Sequence, residues 1–315
     1  MGSERDVRDV GPVEVALHAT LVPAGLDDKL VAASVGPDGE AIVLWSAADG
    51  AEAMRSRTGR PVGARVITYY PLPGHEVVIR DLGIAFPEVQ PLPGDRTLIV
   101  GARCRWYSKG PERNAIVVDA DGLPVAEGTL GDGIQEVLTT PSGLIWVGYF
   151  DEGVLGNYGW GGPGPDPIGS PGIVRFTPDL RVDWRYPYNA EGGSIIDAYA
   201  LNVSGETAWS SYYTDFPIVR IKSGSITTWR GGVRGVQALI IGEGRCALIG
   251  GYGADQSRIL IGFLTAEGFV PESTGVLTLP GGAELGRCRI VGRGAELHVF
   301  VGNRWFKTTI ADLPW

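Results

Sequence analysis

The chain has 315 residues, of which 48 are Gly and 22 are Pro. This excludes a helical bundle, because an interior Gly costs about 1 kcal/mol and Pro about 3 kcal/mol relative to Ala, and the absence of a G-X-Y period excludes collagen. A hydrophobic fraction of 44% with 9 Trp, 11 Tyr and 8 Phe excludes disorder, and a net charge of −9 makes nucleic acid a repelled partner.

Met1 to Val10 (MGSERDVRDV) is polar and mixed in charge, without the apolar stretch of a signal peptide. No run approaches the ~18 apolar residues of a membrane span. The expectation is a cytoplasmic protein without a membrane partner, its residues 1–12 forming a flexible tail. Cys104, Cys246 and Cys288 are odd in number and sit in apolar surroundings, which reads as buried thiols rather than a disulfide framework or a zinc site.

From here the chain repeats one pattern: an apolar strand, a tight turn carrying Gly, and a second apolar strand. The hairpins are VAASVGPDGEAIVLWS, VQPLPGDRTLIVGA, EVLTTPSGLIWVGY, YALNVSGETAWSSYY, ALIIGEGRCALIGGY and RCRIVGRGAELHVFVG. Their turn glycines, Gly39, Gly94, Gly143, Gly205, Gly244 and Gly294, recur roughly every 50 residues. Third strands follow as GARVITYY, NAIVVD, GIVRFT, PIVRIK and RILIGFL, and outer strands as HEVVIRDL, LPVAEGT, RVDWRYP, SITTWRG and FVPEST. Turn residues such as Asp121-Gly122 and Ser223-Gly224 separate them. After Gly294 only two further strands fit, AELHVFVG and RWFKTTI, so Val13 to Thr20 (VEVALHAT) is expected to supply the missing outer strand. The predicted fold is all-β: a six-bladed β-propeller of four-stranded antiparallel blades, residues 1–315 forming a single domain closed by that N-terminal strand.

Three motifs resolve into turns or loops. Gly159 to Gly164 (GWGGPG) fits G-x-G-x-x-G, but Pro163, Pro165 and Pro167 forbid the helix a dinucleotide site needs. Asp119-Ala120-Asp121-Gly122 opens like a calcium loop, yet Glu127 comes too early to complete it. His18, His75 and His298 all fall within predicted strands, where a histidine satisfied inside a sheet is the simpler reading than a triad or a zinc trio. No G-x-S-x-G nucleophile elbow exists.

The repeat count and strand pattern resemble six-bladed propellers of the NHL, TolB and gluconolactonase types over nearly the whole chain. Tyr212-Tyr213-Thr214-Asp215, followed by PIVRI, is similar to the Y-W-T-D signature of lipoprotein-receptor-like propellers. The resemblance implies that loops from second to third strand, and from one blade to the next, share one face around a channel. On that face it would gather Arg103, Arg105, Trp106, Tyr107, Tyr149, Asp151, Glu152, Tyr212, Tyr213, Asp215 and Tyr252, with Glu88, Asp132, Asp197 and Arg234 from the inter-blade segments. The longest insertion, Tyr149 to Pro171, holds Tyr158 and Trp160 and is expected as a loop over the pocket.

Three functions fit these residues. Aromatic area with acids and arginines would bind a small polar ligand at the channel mouth, with or without catalysis. Glu88, Asp132, Asp197 and Asp215 could instead hold calcium or another divalent cation in a lactonase- or esterase-like hydrolase, as the gluconolactonase resemblance implies. A protein partner on the same face, without chemistry, is the third.

Overall fold

The computed structural model describes residues 7–57, 60–231 and 233–315. It divides into two compact units, residues 21–198 and residues 1–20 with 199–315. The chain is all-β, built from repeated four-stranded antiparallel sheets.

The 21–198 unit has three such sheets. The first comprises Lys29–Val35, Ala41–Ser46, Val62–Tyr69 and Pro73–Leu82. The second comprises Pro87–Leu92, Arg96–Gly101, Ala115–Val118 and Pro124–Gly128. The third comprises Ile134–Thr139, Ile145–Tyr149, Ile173–Phe176 and Val182–Arg185. Alternation along each strand buries one set of side chains against the next sheet. Val66, Val77, Ile79, Val89 and Ile99 fill the layer between the first two sheets, and Leu98, Val117, Val137, Val147 and Val174 the layer between the second and third.

One buried carboxamide ties the three innermost strands. Gln90 Nε2 donates to Ser34 Oγ (2.7 Å) and the Val35 carbonyl (3.3 Å), and its Oε1 accepts the Thr139 backbone N–H (3.0 Å). Both polar ends are used, so its burial leaves nothing unsatisfied.

The other unit repeats the plan. Its fourth group of strands, Asp197–Ser204, Thr207–Tyr213, Ile218–Lys222 and Ser225–Trp229, and its sixth, Arg289–Arg293, Glu296–Val301, Arg304–Thr309 and Ala16–Thr20, are joined into one eight-stranded sheet by a parallel pairing of Asn202 with Gly292; its fifth sheet comprises Val236–Gly242, Arg245–Gly250, Arg258–Thr265 and Gly268–Thr278 with one further strand at its edge. Here Asn202 plays the role of Gln90. Its Nδ2 donates to the Leu239 and Gly294 carbonyls at 2.7 and 2.9 Å, and its Oδ1 accepts the Gly294 N–H at 2.8 Å.

The expected strand near the N-terminus is present: Ala16–Thr20 pairs antiparallel with Arg304–Thr309. The expected tail is different. Residues 1–6 lie outside the described residues, and Arg8–Glu14 is a strand pairing parallel with Gly268–Thr278. Val13 and Val15 are buried in the core of the fifth and sixth groups of strands, which explains why the segment is ordered.

The six glycines that mark the repeat all have positive φ, between 53° and 88°. In that region a side chain costs about 1–2 kcal/mol, so glycine marks each reversal. No helix is long and apolar enough to cross a membrane among the described residues.

Candidate functional site

In an antiparallel meander the tight turns within hairpins lie at one end of a sheet and the second-to-third connections at the other. In the 21–198 unit the latter are residues 47–61, 102–114 and 150–172, and they are stitched together through the backbone. Phe86 N–H donates to the Met54 carbonyl (2.7 Å), Ala102 N–H to Phe86 (2.9 Å), Ile134 N–H to Ala102 (3.0 Å) and Phe150 N–H to Gly133 (2.8 Å). Side chains are absent where these loops cross: a Cβ on Gly133 would collide with the Gly153 backbone.

Helix Ala48–Arg55, unforeseen in the sequence, buries Ala51, Ala53 and Met54 and delivers Arg57 to this end of the unit. The second loop carries Arg103, Arg105, Trp106, Tyr107 and Glu112. The third is the long insertion, which is not structureless as expected: Asp151–Leu155 forms a short helix. Its tip is pinned to the second loop, with Trp106 N–H donating to the Tyr158 carbonyl (2.9 Å) and Trp160 Nε1 to the Cys104 carbonyl (2.9 Å). The two indoles meet edge to face at 5.2 Å.

Arg103 is the electrostatic hub. Its Nε and Nη2 donate to the two oxygens of Asp132 at 3.0 and 3.1 Å, and Nη2 also reaches Glu152 Oε2 at 2.6 Å. Asp132 is 3% exposed and also accepts the Cys104 N–H at 2.7 Å. Asn114 holds the preceding turn by donating to Gly101 and Gly131 and accepting from Leu130. Burial works against the Arg103 charge, but the bonds to Asp132 and Glu152 outweigh it and raise its pKa. The Asn157 amide, and then Arg103, hold Glu152 below the usual carboxylate range. Burial, then Glu112 and Asp132, push the Cys104 thiol up to about 12, so it is no nucleophile at neutral pH.

Above this network lies a recess of about 240 Å³, floored by Cys104 and walled by Arg57, Phe86, Arg103, Arg105, Glu112 and Tyr158. The Tyr158 ring is shared by three guanidinium groups, whose carbons lie 3.7 Å (Arg57), 4.2 Å (Arg103) and 5.4 Å (Arg105) from its centroid. Glu112 accepts from Tyr107 Oη (3.0 Å) and from the Arg105 backbone N–H (2.7 Å). A contiguous recess of about 260 Å³ shares Arg57, Ala85, Arg103 and Glu112 and continues to Arg113 and Asn114. A larger hollow, about 300 Å³, lies at the hairpin-turn end among Pro37, Pro91, Pro93 and Pro141. Its most buried acid, Glu40, is already spent on the Asp38 backbone N–H (2.8 Å). The arginine recess is the better candidate, since its arginines and the tyrosine ring they share come from three separate loops.

Several expected site residues therefore meet: Arg103, Arg105, Trp106, Tyr107, Asp132, Glu152 and Trp160. Tyr149 does not join them. It is fully buried, donates its hydroxyl to the Leu130 carbonyl, and presents nothing to a ligand. Asp151 is exposed and accepts the Glu152 N–H, while Glu88 and Asp197 are half-buried. Arg57 and Glu112 were absent from the expected set, although Arg57 occupies the same second-to-third position in the first repeat, and Tyr158 was expected only as part of the long insertion.

The remaining expected residues belong to the other unit. Tyr212 is buried in the fourth group of strands, whereas Tyr213 and Tyr252 are 45% and 54% exposed and Asp215 and Arg234 are exposed. Tyr199 and Phe216 complete an aromatic cluster there, with the Tyr199 and Tyr252 hydroxyls 2.7 Å apart.

The four proposed metal ligands do not make a cation site. Among the described residues no three His, Cys, Asp or Glu side chains come together as a metal requires, and both Asp132 oxygens are engaged by Arg103 and Cys104. The Asp119 turn is a hairpin turn, its Oδ1 accepting the Asp121 and Leu123 N–H groups.

No protein family and no curated protein matches the chain. Solved structures that align with it include a catalytically inactive virginiamycin B lyase from Staphylococcus aureus with quinupristin (13% identity, 94% of this chain and 99% of that one, TM-score 0.44). Apo AztD from Citrobacter koseri aligns at 11% identity over 87% of this chain and 80% of that one, TM-score 0.43. The extracellular domain of a one-component system from B. thetaiotaomicron aligns at 9% identity over 97% of this chain and 43% of that one, TM-score 0.45. Similarity this distant transfers no residue role.

Proposed function

We propose that the protein binds a small polar ligand in the arginine recess of the 21–198 unit, and that the repeated sets of four antiparallel strands are six blades of one propeller domain that presents it. The observation that carries the binding reading is the delivery of Arg57, Arg105 and Tyr158, from three different sheets' loops, to one recess. Loops positioned by a rigid scaffold are where binding residues concentrate. Binding is better supported than turnover: the Cys104 thiol is held protonated by burial, and His18, His75 and His298 sit in strands away from the recess lining.

The test is a thermal-shift screen of polar metabolites on the wild type and on Tyr158→Ala. A true ligand present at about 100 times its Kd stabilises the fold by about 2.7 kcal/mol, a rise of several degrees in Tm. The expected result is at least one such compound whose effect disappears in Tyr158→Ala. A screen with no hits, or hits that shift both proteins equally, overturns the reading.

A further inference from the structure

We propose that the ligand of this recess carries an anionic group, a carboxylate or a phosphate monoester, clamped between Arg57 and Arg105 over the Tyr158 ring. The inference rests on the binding reading above and adds the chemical class.

It follows from accounting for each charge at the recess. Arg103 is satisfied by Asp132 and Glu152. Glu112 lines the same recess, but its oxygens accept from Tyr107 and from the Arg105 backbone, and it forms no direct ion pair with either remaining guanidinium. Arg57 and Arg105 have no carboxylate within ion-pair distance among the described residues; their side chains contact tyrosine rings instead. Two guanidinium groups without a direct ion pair therefore contact one ring, beside a third that is doubly ion-paired.

Guanidinium groups gathered on one ring repel one another, and an anion that both can reach would gain charge-assisted bonds from each. The planar fork of arginine matches both carboxylate and phosphate oxygens, which lysine would not do as well. Tyr158 is built to stay in place. It adopts φ +49°, its carbonyl is tied to Trp106, and a Cβ on the following Gly159 would come within 2.5 Å of the Trp106 carbonyl oxygen. A fixed ring orients the guanidinium groups before a ligand arrives, which reduces the ordering cost of binding. The contiguous recess past Arg57 leaves room for the rest of a molecule whose anionic head sits over Tyr158.

Arginine labelling with phenylglyoxal, read by peptide mass spectrometry on the full chain, tests this directly. Arg57 and Arg105 should react quickly and the ion-paired Arg103 slowly. Millimolar inorganic phosphate or malonate should slow labelling of Arg57 and Arg105 severalfold at constant ionic strength, while glycerol and ethanolamine should not. Protection by glycerol or ethanolamine equal to that by the anions, or protection by none of the four, overturns the inference. The screening hits separate this outcome from failure of the binding reading. Anionic hits should bind at least about tenfold more weakly to the Arg57→Gln/Arg105→Gln double variant, provided its urea midpoint is unchanged. Neutral or cationic hits that depend on Tyr158 but not on these arginines would leave the recess as a binding site and refute the anion.

Discussion

His298 is a fully buried titratable side chain that the recess does not use, and its neighbours fix its state. Its Nδ1 accepts the Trp305 indole N–H at 3.1 Å, so the proton of the neutral ring sits on Nε2, 3.4 Å from Glu296 Oε2. Burial lowers the His298 pKa, and Glu296 recovers only part of that shift. Glu296 itself is held at about 2, first by His298 and then by Lys307, whose Nζ is 2.6 Å away. His18 packs on the same Trp305 ring, and its pKa is lowered too, by burial and then Lys307. The signs agree. In the unfolded chain the histidines take up protons below pH 6.5 and Glu296 below 4.5, before their folded counterparts do, so stability is full above pH 6.5 and falls as acid is added. One histidine contributes a slope of up to about 1.4 kcal/mol per pH unit. Urea unfolding between pH 7.5 and 5 should show this decline, and His298→Gln, which keeps an acceptor for Trp305 but cannot titrate, should flatten it. An unchanged slope would place the pH dependence elsewhere.

At the scale of elements, glycines divide into those that only permit a turn and those that permit contact. Gly94, in the second hairpin, has φ +77° and open space around it. Alanine there should cost about 1–2 kcal/mol, the strain of the left-handed region alone. Gly133 combines φ +67° with a site where the added methyl would strike the backbone of Gly153. Because backbone cannot swing aside as a long side chain can, Gly133→Ala should cost at least about 3 kcal/mol and loosen the loops that carry Asp132 and Glu152. Denaturant melts of the two variants compare these costs, and equal losses would mean that the loop crossing is adaptable. The long insertion is governed by the same contrast: Gly162 lies in open space, while Gly159 sits against Trp106 and lets Tyr158 reach the arginines.

For the whole chain, residues 8–20 are a clasp. Arg8–Glu14 adds a parallel strand to the fifth sheet and Ala16–Thr20 an antiparallel one to the sixth group of strands, with Val13 and Val15 buried between. Removing the chain through Thr20 takes away the strands Arg8–Glu14 and Ala16–Thr20 and would expose two strand edges and that apolar layer. Two buried valines alone are worth about 3–6 kcal/mol, a large share of the stability of any domain. The truncated chain is expected to aggregate or to melt more than ten degrees lower, as read by size-exclusion chromatography and calorimetry. A monomer with nearly unchanged Tm would show the clasp to be dispensable.

Much of this architecture is legible in the sequence because it is local. Strand alternation and turn glycines act within a few residues, so the four-stranded repeat and the partner of Ala16–Thr20 can be counted from the chain. The parallel pairing of Arg8–Glu14 could not be, since a short stretch with Gly11 and Pro12 carries no alternation that names a distant partner. Gln90 and Asn202 are likewise silent: each reads as a polar residue in an apolar strand, and only the convergence of three strands reveals why it is buried. The site shows the same division. The sequence determined which connections carry arginines, acids and aromatic rings, because loop position follows from the repeat. Which guanidinium groups are ion-paired was decided only by the tertiary structure, because Asp132 and Glu152 engage Arg103 from 29 and 49 residues away and leave Arg57 and Arg105 over Tyr158 without a direct ion pair among the described residues.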